Sequence, residues 1–219
     1  MMTRTLRYAL TTLALGAALS AGATAPAIAI PCGVGSVAMS ILTQPGFSCT
    51  QQDKIWSNFA STNIPSTNSA VFALVNLPGL DEHTVTVLGP FAQNTTYNLS
   101  YTIAIDTLIS PNITFSAVTG GILFASPGGT ATLTKSFTDE NFAPLPGLIA
   151  TAINPVVSIP VPGLTLTMHV TDAFFTDGSN VTGFANTFTQ TEITVPEPAT
   201  IALLGAGLLG LGMMRRRQS

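Results

Sequence analysis

Apolar and polar side chains alternate along much of the middle of this chain, and the segment TYNLSYTIAI at residues 96–105 is the plainest case. Its large apolar residues occupy every second position, with Asn, Ser and Thr between them. The segment LTLTMHV at residues 164–170 repeats the pattern. Because successive side chains of a β-strand point to opposite faces, this period of two predicts strands that are buried on one face.

About eight to ten such candidate strands follow one another, separated by turn residues. No internal stretch has the sustained period of 3.6 residues that a helix would need. The sequence therefore predicts an all-β domain at residues 30–194, an antiparallel β-sandwich of jelly-roll type with a phenylalanine-rich core. Three Pro-Gly pairs, each followed by Leu, are typical of type II turns and are expected between strands: Pro78-Gly79, Pro146-Gly147 and Pro162-Gly163.

Lysine and arginine are almost absent from this domain. Between Pro31 and Val195 the only ones are Lys54 and Lys135, against nine acidic residues, which gives the region a net charge of −7. Such a domain cannot neutralise phosphates, and this excludes nucleic acid as a partner. Anionic lipid would repel it as well. The exposed surface is expected to be rich in Thr, Ser and Asn.

Residues 1–29 have the three parts of a secretory signal peptide. MMTRTLR is a short basic start, YALTTLALGAAL is an apolar run of about the length of a signal-peptide core, and SAGATAPAIA supplies small residues before the cleavage site. A cut after Ala29 is favoured because Ala27 and Ala29 fill the two small positions, and a cut after Ala23 is the alternative. An uncleaved membrane anchor is the other interpretation. The prediction is an exported protein.

The segment at residues 195–219, VPEPATIALLGAGLLGLGMMRRRQS, has three parts in a fixed order. Pro196, Glu197 and Pro198 come first, and the prolines keep the residues before them extended. Residues 199–214 have no charge, and as a transmembrane helix they would span about 24 Å of a roughly 30 Å hydrocarbon core. Three arginines follow, and because positive charge stays cytoplasmic they are expected to keep the domain outside: Arg215, Arg216 and Arg217.

This order of Pro-Glu-Pro, apolar helix and arginine cluster resembles the PEP-CTERM sorting signal, over residues 195–219 alone. The resemblance implies a protein exported by a Gram-negative bacterium and held briefly in the inner membrane by the tail. It further implies processing by the membrane enzyme exosortase. Pro196, Glu197 and Pro198 would be the recognition motif, and Arg215, Arg216 and Arg217 the stop-transfer signal. The final location would be the cell surface or the extracellular polymer matrix. A plain single-pass anchor is the alternative interpretation of the same tail.

Cys32 and Cys49 are the two cysteines of the chain. Export places them in an oxidising compartment, where a disulfide is the expected state. In the chain-entropy model a bridge over a loop of this length stabilises the fold by about 3 kcal/mol. A redox or metal role is not favoured, because the pair is widely spaced and has no histidines near it in sequence.

No G-x-S-x-G elbow, Walker loop or dinucleotide fingerprint occurs. We expect His83 to be solvated near a turn, and Asp81 with His83 gives two ligands, too few for a metal site. His169 is expected on the polar face of its strand, near Asp172. The TDGSN turn at residues 176–180, with Asp172, offers oxygens for calcium but lacks the spacing of an EF-hand. No catalytic residue, cofactor or metal is therefore predicted, and the protein is not expected to be an enzyme.

Three classes of function remain for the domain. The first is a structural or interaction protein of the cell surface or matrix, whose hydroxyl-rich surface is compatible with polysaccharide. The second is a carbohydrate- or calcium-dependent binding module, which needs a concave site with aromatic residues and converging acids. Trp56, the single Trp, is expected to be buried instead. The third and least favoured is a secreted hydrolase, since the sequence shows no catalytic constellation.

Overall fold

The computed structural model describes residues 30–32, 35–77, 80–124, 130–177 and 181–193. Antiparallel strands dominate these ranges, which confirms the predicted all-β class. In chain order the elements are β1 Ile30–Pro31, β2 Ser36–Ala38, α1 Met39–Leu42, β3 Ser48–Gln51, β4 Lys54–Thr62, β5 Ser69–Leu77, β6 Leu80–Leu88, β7 Thr95–Ile105, β8 Ile113–Phe124, β9 Ala131–Thr138, β10 Pro144–Thr151, β11 Val156–Pro160, β12 Thr167–Thr176 and β13 Val181–Glu192.

The predicted signal peptide at residues 1–29 and transmembrane helix at residues 199–214 lie outside the described residues. The sorting motif Pro196–Pro198 and the arginines Arg215–Arg217 also lie outside them. Within the described ranges, no helix is long and apolar enough to cross a membrane.

The strands form two sheets. One has seven strands in the order β1-β3-β4-β7-β12-β9-β10, and the other has six in the order β11-β8-β13-β6-β5-β2. Neighbouring strands are antiparallel, except that the two residues of β1 run parallel to β3. Apolar side chains from both sheets share one core, which is the arrangement of a β-sandwich.

Aromatic rings from both sheets pack against one another at the centre of this core. Trp56 of the seven-stranded sheet is fully buried, as expected, and its ring lies 5.3 Å from that of Phe72 and 5.6 Å from that of Phe188 in the other sheet. Both pairs meet edge to face, an arrangement that adds about 0.5–1.5 kcal/mol per pair to the gain from burial. Trp56 therefore joins the two sheets and is not available as a surface sugar platform.

Proline is frequent in the strands that end each sheet. Pro31 lies in β1, Pro160 ends β11, and β10 contains Pro144 and Pro146. The predicted turn at Pro146-Gly147 is wrong, because the pair lies inside β10, where the register shifts between Leu145 and Leu148. Proline cannot donate to a ladder, and an irregular edge strand is a place that tolerates it.

The other two Pro-Gly pairs have different outcomes. Pro162-Gly163 lies between β11 and β12, and Gly163 has a φ of +73°, which agrees with a turn. Pro78-Gly79 lies outside the described residues.

The predicted disulfide is present. Cys32, just after β1, is bonded to Cys49 in β3, with the two Cα atoms 4.8 Å apart. The backbone N–H of Cys32 also donates to the carbonyl of Thr50 at 2.7 Å. The bridge therefore ties the start of the domain to the seven-stranded sheet.

Candidate functional site

Both lysines of the domain are buried, and each is paired with an aspartate. Lys54 contacts Asp53 with 2.7 Å between Nζ and Oδ1, and Lys135 contacts Asp172. Because no other Lys or Arg occurs between Pro31 and Val195, no lysine or arginine side chain reaches the surface of the described residues. The formal charges exposed there are those of carboxylates.

Four polar side chains meet in the middle of the core, and we call them the core tetrad: Lys135, Asp172, Asn186 and Tyr101. Lys135 of β9 and Asp172 of β12 are direct cross-strand partners in the seven-stranded sheet. Asn186 comes from β13 in the opposite sheet, and its Nδ2 lies 2.6 Å from Asp172 Oδ2 and 2.6 Å from the Tyr101 hydroxyl. The tetrad thus bridges the two sheets through polar contacts that are closed to water.

Burial controls the ionisation of the tetrad. It lowers the pKa of Lys135, and the adjacent Asp172 carboxylate offsets part of that shift. Burial, followed by the negative charge of Asp172, raises the pKa of Tyr101 well above its ordinary value, so the phenol stays protonated. A desolvated ammonium loses its proton more readily than an exposed one, and the Asp172 carboxylate that contacts the Lys135 ammonium can accept that proton.

A second polar group, which we call the cleft cluster, contains Asp53, Lys54, His83 and Gln190. Lys54 Nζ donates to both Asp53 and the side-chain oxygen of Gln190. His83 Nδ1 lies 3.3 Å from Gln51 Oε1, and its Nε2 lies 3.5 Å from Asp53 Oδ1. The cluster borders an open cleft of about 430 Å³ lined by Gln52, Asp53, Asp81, Ile109, Ser110, Ile113 and Gln190.

The expectation that His83 is solvated is wrong. The side chain is fully buried, because His83 lies on the inward face of β6 two residues before the core residue Val85. Burial, and then the charge of Lys54, lowers its pKa to about 4, so the ring is neutral at pH 7. Burial raises the pKa of Asp53, but the hydrogen bond and charge of Lys54 outweigh it, and the net shift is downward.

Neither cluster has the composition of a metal site. Among the described residues, no group of three or more His, Cys, Asp or Glu side chains is placed to hold an ion. Asp172 points into the core tetrad and cannot serve a calcium ion at the turn after β12. Asp177 Oδ2 accepts hydrogen bonds from the backbone N–H and the hydroxyl of Thr130, at 3.0 and 2.6 Å.

The outer face of the seven-stranded sheet has a third arrangement, which we call the outer platform: Asn58, Thr102, His169 and Phe142. Asn58 Nδ2 donates to Thr102 Oγ1 at 3.2 Å, and Thr102 Oγ1 lies 3.0 Å from His169 Nδ1. The Phe142 ring stacks on the His169 ring at 4.3 Å with an angle of 3° between their planes. His169 is on the polar face as predicted, but Asp172, three residues further along the strand, is on the opposite face.

A tight turn between β9 and β10 positions Phe142. The Asp139 carboxylate accepts hydrogen bonds from the backbone N–H groups of Asn141 and Ala143, at 2.9 and 2.8 Å. The backbone N–H of Phe142 donates to the Asp139 carbonyl at 3.0 Å, and Phe142 has a φ of +60°. An ordinary side chain adopts that left-handed conformation only where its surroundings impose it. The turn therefore holds the ring 70 % exposed, with one face on His169 and the other free.

The rest of this outer face has no formal charge. The only charged residues in the seven strands of this sheet are Lys54, Lys135 and Asp172, and all three point inward. The outward positions of the central strands alternate with the buried ones and have mainly hydroxyl and amide groups: Ser57, Asn98, Ser100, Thr102, Thr132, Thr134, Ser136, Thr167 and Thr171.

Residues 194–217 match a family model described as the PEP-CTERM protein-sorting motif. The chain carries a PEP-CTERM sorting signal. The matched range includes the Pro-Glu-Pro residues Pro196–Pro198 and the arginines Arg215–Arg217. A PEP-CTERM signal implies export and processing by exosortase, an enzyme of the membrane. No curated protein matches the chain.

Solved structures similar to this chain include two carbohydrate-binding modules and an α-L-arabinofuranosidase. The mannan-recognising carbohydrate-binding module TmCBM27 is 8 % identical, with a TM-score of 0.33 over 72 % of this chain and 96 % of that one. The family 11 carbohydrate-binding module of Clostridium thermocellum is 9 % identical, with a TM-score of 0.28 over 65 % and 91 %. The α-L-arabinofuranosidase MgGH51 is 8 % identical, with a TM-score of 0.32 over 72 % and 26 %.

Proposed function

We propose that this is a non-enzymatic protein of the cell surface or extracellular matrix whose β-domain binds a neutral polysaccharide through the outer platform. The observation that carries the proposal is the exposed Phe142 ring, held on His169 at the border of a charge-free, hydroxyl-rich sheet face. In this proposal the PEP-CTERM tail anchors the protein in the inner membrane of a Gram-negative cell until exosortase releases it outward.

The chemistry of the outer platform suits a sugar polymer. A sugar ring presents C–H groups on its faces and hydroxyls around its rim. The free face of the Phe142 ring is an apolar surface with a negative quadrupole, against which such C–H groups pack. Hydroxyl and amide groups such as those of Thr171 and Asn58 can donate to and accept from the sugar hydroxyls.

Charge favours a neutral polymer over an acidic one. The seven-stranded sheet offers no cation to an acidic polysaccharide, because Lys54 and Lys135 are buried. Exposed carboxylates, including that of Glu140 in the turn beside Phe142, would repel such a polymer at low salt. A neutral glycan meets neither obstacle and exchanges its hydrogen bonds with water for bonds with the protein.

The test is a binding measurement with the exported, processed protein. Depletion from solution by insoluble cellulose, chitin, mannan and β-1,3-glucan, and by neutral polymer from the native host, gives the dissociation constants. We expect saturable binding to at least one neutral polymer and at least a tenfold loss in Phe142→Ala, equivalent to about 1.4 kcal/mol. The matched control is Ile153→Ala, which removes an apolar side chain that is 98 % exposed in the loop between β10 and β11.

Four outcomes would contradict the proposal. The first is the absence of binding to every neutral polymer, and the second is equal affinity of Phe142→Ala and wild type. The third is release of soluble sugars from the polymer during incubation, which would favour a hydrolase. Binding that disappears with a chelator would favour the calcium-dependent module instead.

A further inference from the structure

The core tetrad brings an amine, a carboxyl group and a carboxamide together in a dry interior. Lys135 supplies the amine, Asp172 the carboxylate and Asn186 the carboxamide, and each is at most 1 % exposed. Lys135 and Asp172 belong to the seven-stranded sheet, whereas Asn186 belongs to the six-stranded sheet. A bond between the amine and the carboxamide would therefore join the two sheets.

A glycine in the six-stranded sheet makes room for the Lys135 side chain. Gly120 of β8 is the direct cross-strand partner of Asn186. A Cβ atom on Gly120 would lie 2.9 Å from Cδ and 3.0 Å from Cε of Lys135, closer than carbon atoms normally approach. The lysine stem therefore crosses the interior and lies on Gly120, and its amine meets the Asp172 carboxylate that also contacts Asn186.

One carboxylate holds both nitrogens. Lys135 Nζ donates to Oδ1 of Asp172, and Asn186 Nδ2 donates to Oδ2 of the same group at 2.6 Å. The Asn186 side-chain oxygen has no hydrogen-bond partner among the described residues. Asp172 is thus placed to take a proton from the amine and to deliver one to the amide nitrogen.

We propose that Lys135 and Asn186 become joined by an intramolecular amide bond between Nζ and Cγ, with Asp172 as the proton carrier and ammonia as the leaving group. The product covalently links β9 of one sheet to β13 of the other. This modification is independent of polysaccharide binding.

The reaction needs no oxidant, metal or co-reactant. Asp172 first accepts a proton from the Lys135 ammonium, and the neutral amine attacks Cγ of Asn186 to form the new C–N bond. Protonated Asp172 then delivers its proton to Nδ2, which is hydrogen-bonded to Oδ2 of the same carboxyl group. The Cγ–Nδ2 bond then breaks. Of the three ammonium protons, one stays on the new amide nitrogen, one leaves with Nδ2 as ammonia, and one stays on Asp172.

The surroundings favour this chemistry over a permanent ion pair. Burial lowers the pKa of Lys135, which increases the share of neutral, nucleophilic amine. The strands fix all three groups before reaction, and such orientation removes much of the entropic part of a barrier. The product has an acylated Lys135 and a protonated Asp172 and therefore no buried formal charge, whereas the ion pair keeps two charges out of water.

The cleft cluster offers an internal comparison. Lys54 also lies between a carboxylate and a carboxamide, those of Asp53 and Gln190. The Lys54 amine is hydrogen-bonded to the oxygen of that carboxamide, and the Gln190 nitrogen is held by Asp81, not by Asp53. No single carboxylate there bridges the amine and the leaving nitrogen, so we assign the bond to Lys135 and Asn186.

The test uses protein that is expressed from the full-length gene and exported. It is reduced, denatured and digested with trypsin. Lys54 and Lys135 are the only sites for this protease between Pro31 and Val195, and an acylated lysine is not cut. We expect cleavage after Lys54 but not after Lys135, in a peptide that is one ammonia lighter than its sequence. Fragmentation should show residues 135 and 186 joined. In the variants Asn186→Ala and Asp172→Asn, trypsin should cleave after Lys135. In the control Gln190→Ala, the bond between residues 135 and 186 should still form.

Several results would overturn the proposal. Complete cleavage after Lys135 in the wild-type protein means that the lysine is free. Loss of ammonia together with that cleavage means that Asn186 has cyclised onto its own backbone. Loss of water instead of ammonia assigns the bond to Asp172. Because the wild-type peptide alone decides among these, variants that fail to accumulate do not affect the outcome.

Discussion

Gly120 and Lys135 face each other across the interior of the sandwich with no room for a methyl group on the glycine. A Cβ at Gly120 would also lie 2.6 Å from Cδ1 of Leu148. We predict that Gly120→Ala lowers the free energy of unfolding by about 1–3 kcal/mol, the usual cost of overpacking a core. Urea unfolding of the exported protein measures it.

The neighbouring glycine is the matched control for that substitution. A Cβ at Gly121 would meet its nearest atoms, in Pro155 and Val156, at 3.8 and 3.9 Å, which is ordinary contact. Gly121→Ala should therefore change the free energy of unfolding by less than about 0.5 kcal/mol. Equal effects of the two substitutions would mean that the lysine stem does not lie on Gly120.

The buried His83 should make stability depend on pH. Its pKa is about 4 in the folded protein and returns to about 6.5 on unfolding, so the unfolded chain binds a proton in this window that the folded protein does not. The stability due to the neutral ring is complete above pH 6.5 and is lost as the pH falls towards 4. The loss is on the order of 3 kcal/mol between pH 7 and pH 4.

Unfolding at pH 7 and pH 4.5 in wild type and His83→Gln measures this dependence. The variant should lose most of the decrease over this range, although it starts from a lower stability. Asp53, which contacts His83, titrates below this window, because its pKa is lowered. An identical decrease in both proteins would assign the pH dependence to another group.

The disulfide should contribute substantially to stability. Reducing the bond between Cys32 and Cys49 in the exported protein, or replacing Cys32 by Ser, is expected to lower the free energy of unfolding by about 3 kcal/mol. The denaturation midpoint with and without reducing agent measures the change. In the Cys32→Ser variant, reducing agent should have no further effect. A midpoint that does not move in the wild type would show that the bridge does not constrain the unfolded chain.

The PEP-CTERM tail should be removed during maturation. Replacing Pro196, Glu197 and Pro198 by Ala is expected to leave full-length precursor in the membrane fraction, because the recognition motif is lost. Deleting Arg215–Arg217 should weaken retention before processing. Mass spectrometry of the surface-released form from the native host should find residues 199–219 absent. If the released form keeps its arginines, or the alanine variant is released as efficiently as wild type, the tail is a plain anchor.

The fold class was predictable because period-two patterning is a local signal. Strand β7 follows it except at Thr102, which is buried on the polar face. Trp56 is buried and Cys32 is bonded to Cys49, as expected. The turn at Pro146-Gly147 was not predictable, because the same residues that form turns are also tolerated at the bulge of an edge strand. Which of the two occurs depends on the strand order, and that is a property of the whole sheet.

The buried charges left a signal in the sequence. In ATLTKSFT, Lys135 takes the place of an apolar residue between Leu133 and Phe137 on the inward face, and Asp172 does the same between Val170 and Phe174. A charged residue in phase with an apolar face indicates a buried partner. The identity of the partner comes from the pairing of β9 with β12, and that pairing is not encoded in either segment alone.

His83 and Phe142 show where local reasoning fails in opposite directions. The acids beside His83 suggested solvent, yet the inward face of β6 buries it. Phe142 is an apolar residue of a type that usually packs in a core, yet the turn fixed by Asp139 exposes it to solvent. In both cases the backbone conformation, and not the polarity of the residue, determines exposure.

The prolines of the outermost strands limit how copies of this protein can associate. Among the described residues, β1, β10 and β11 each contain proline, and β2 has only three residues. No outermost strand therefore offers a long, unbroken row of N–H donors to a strand from another molecule. Growth of a cross-β fibre by strand addition is disfavoured at the edges of both described sheets. Even when crowded outside the cell, these molecules should remain separate particles that meet through their side chains.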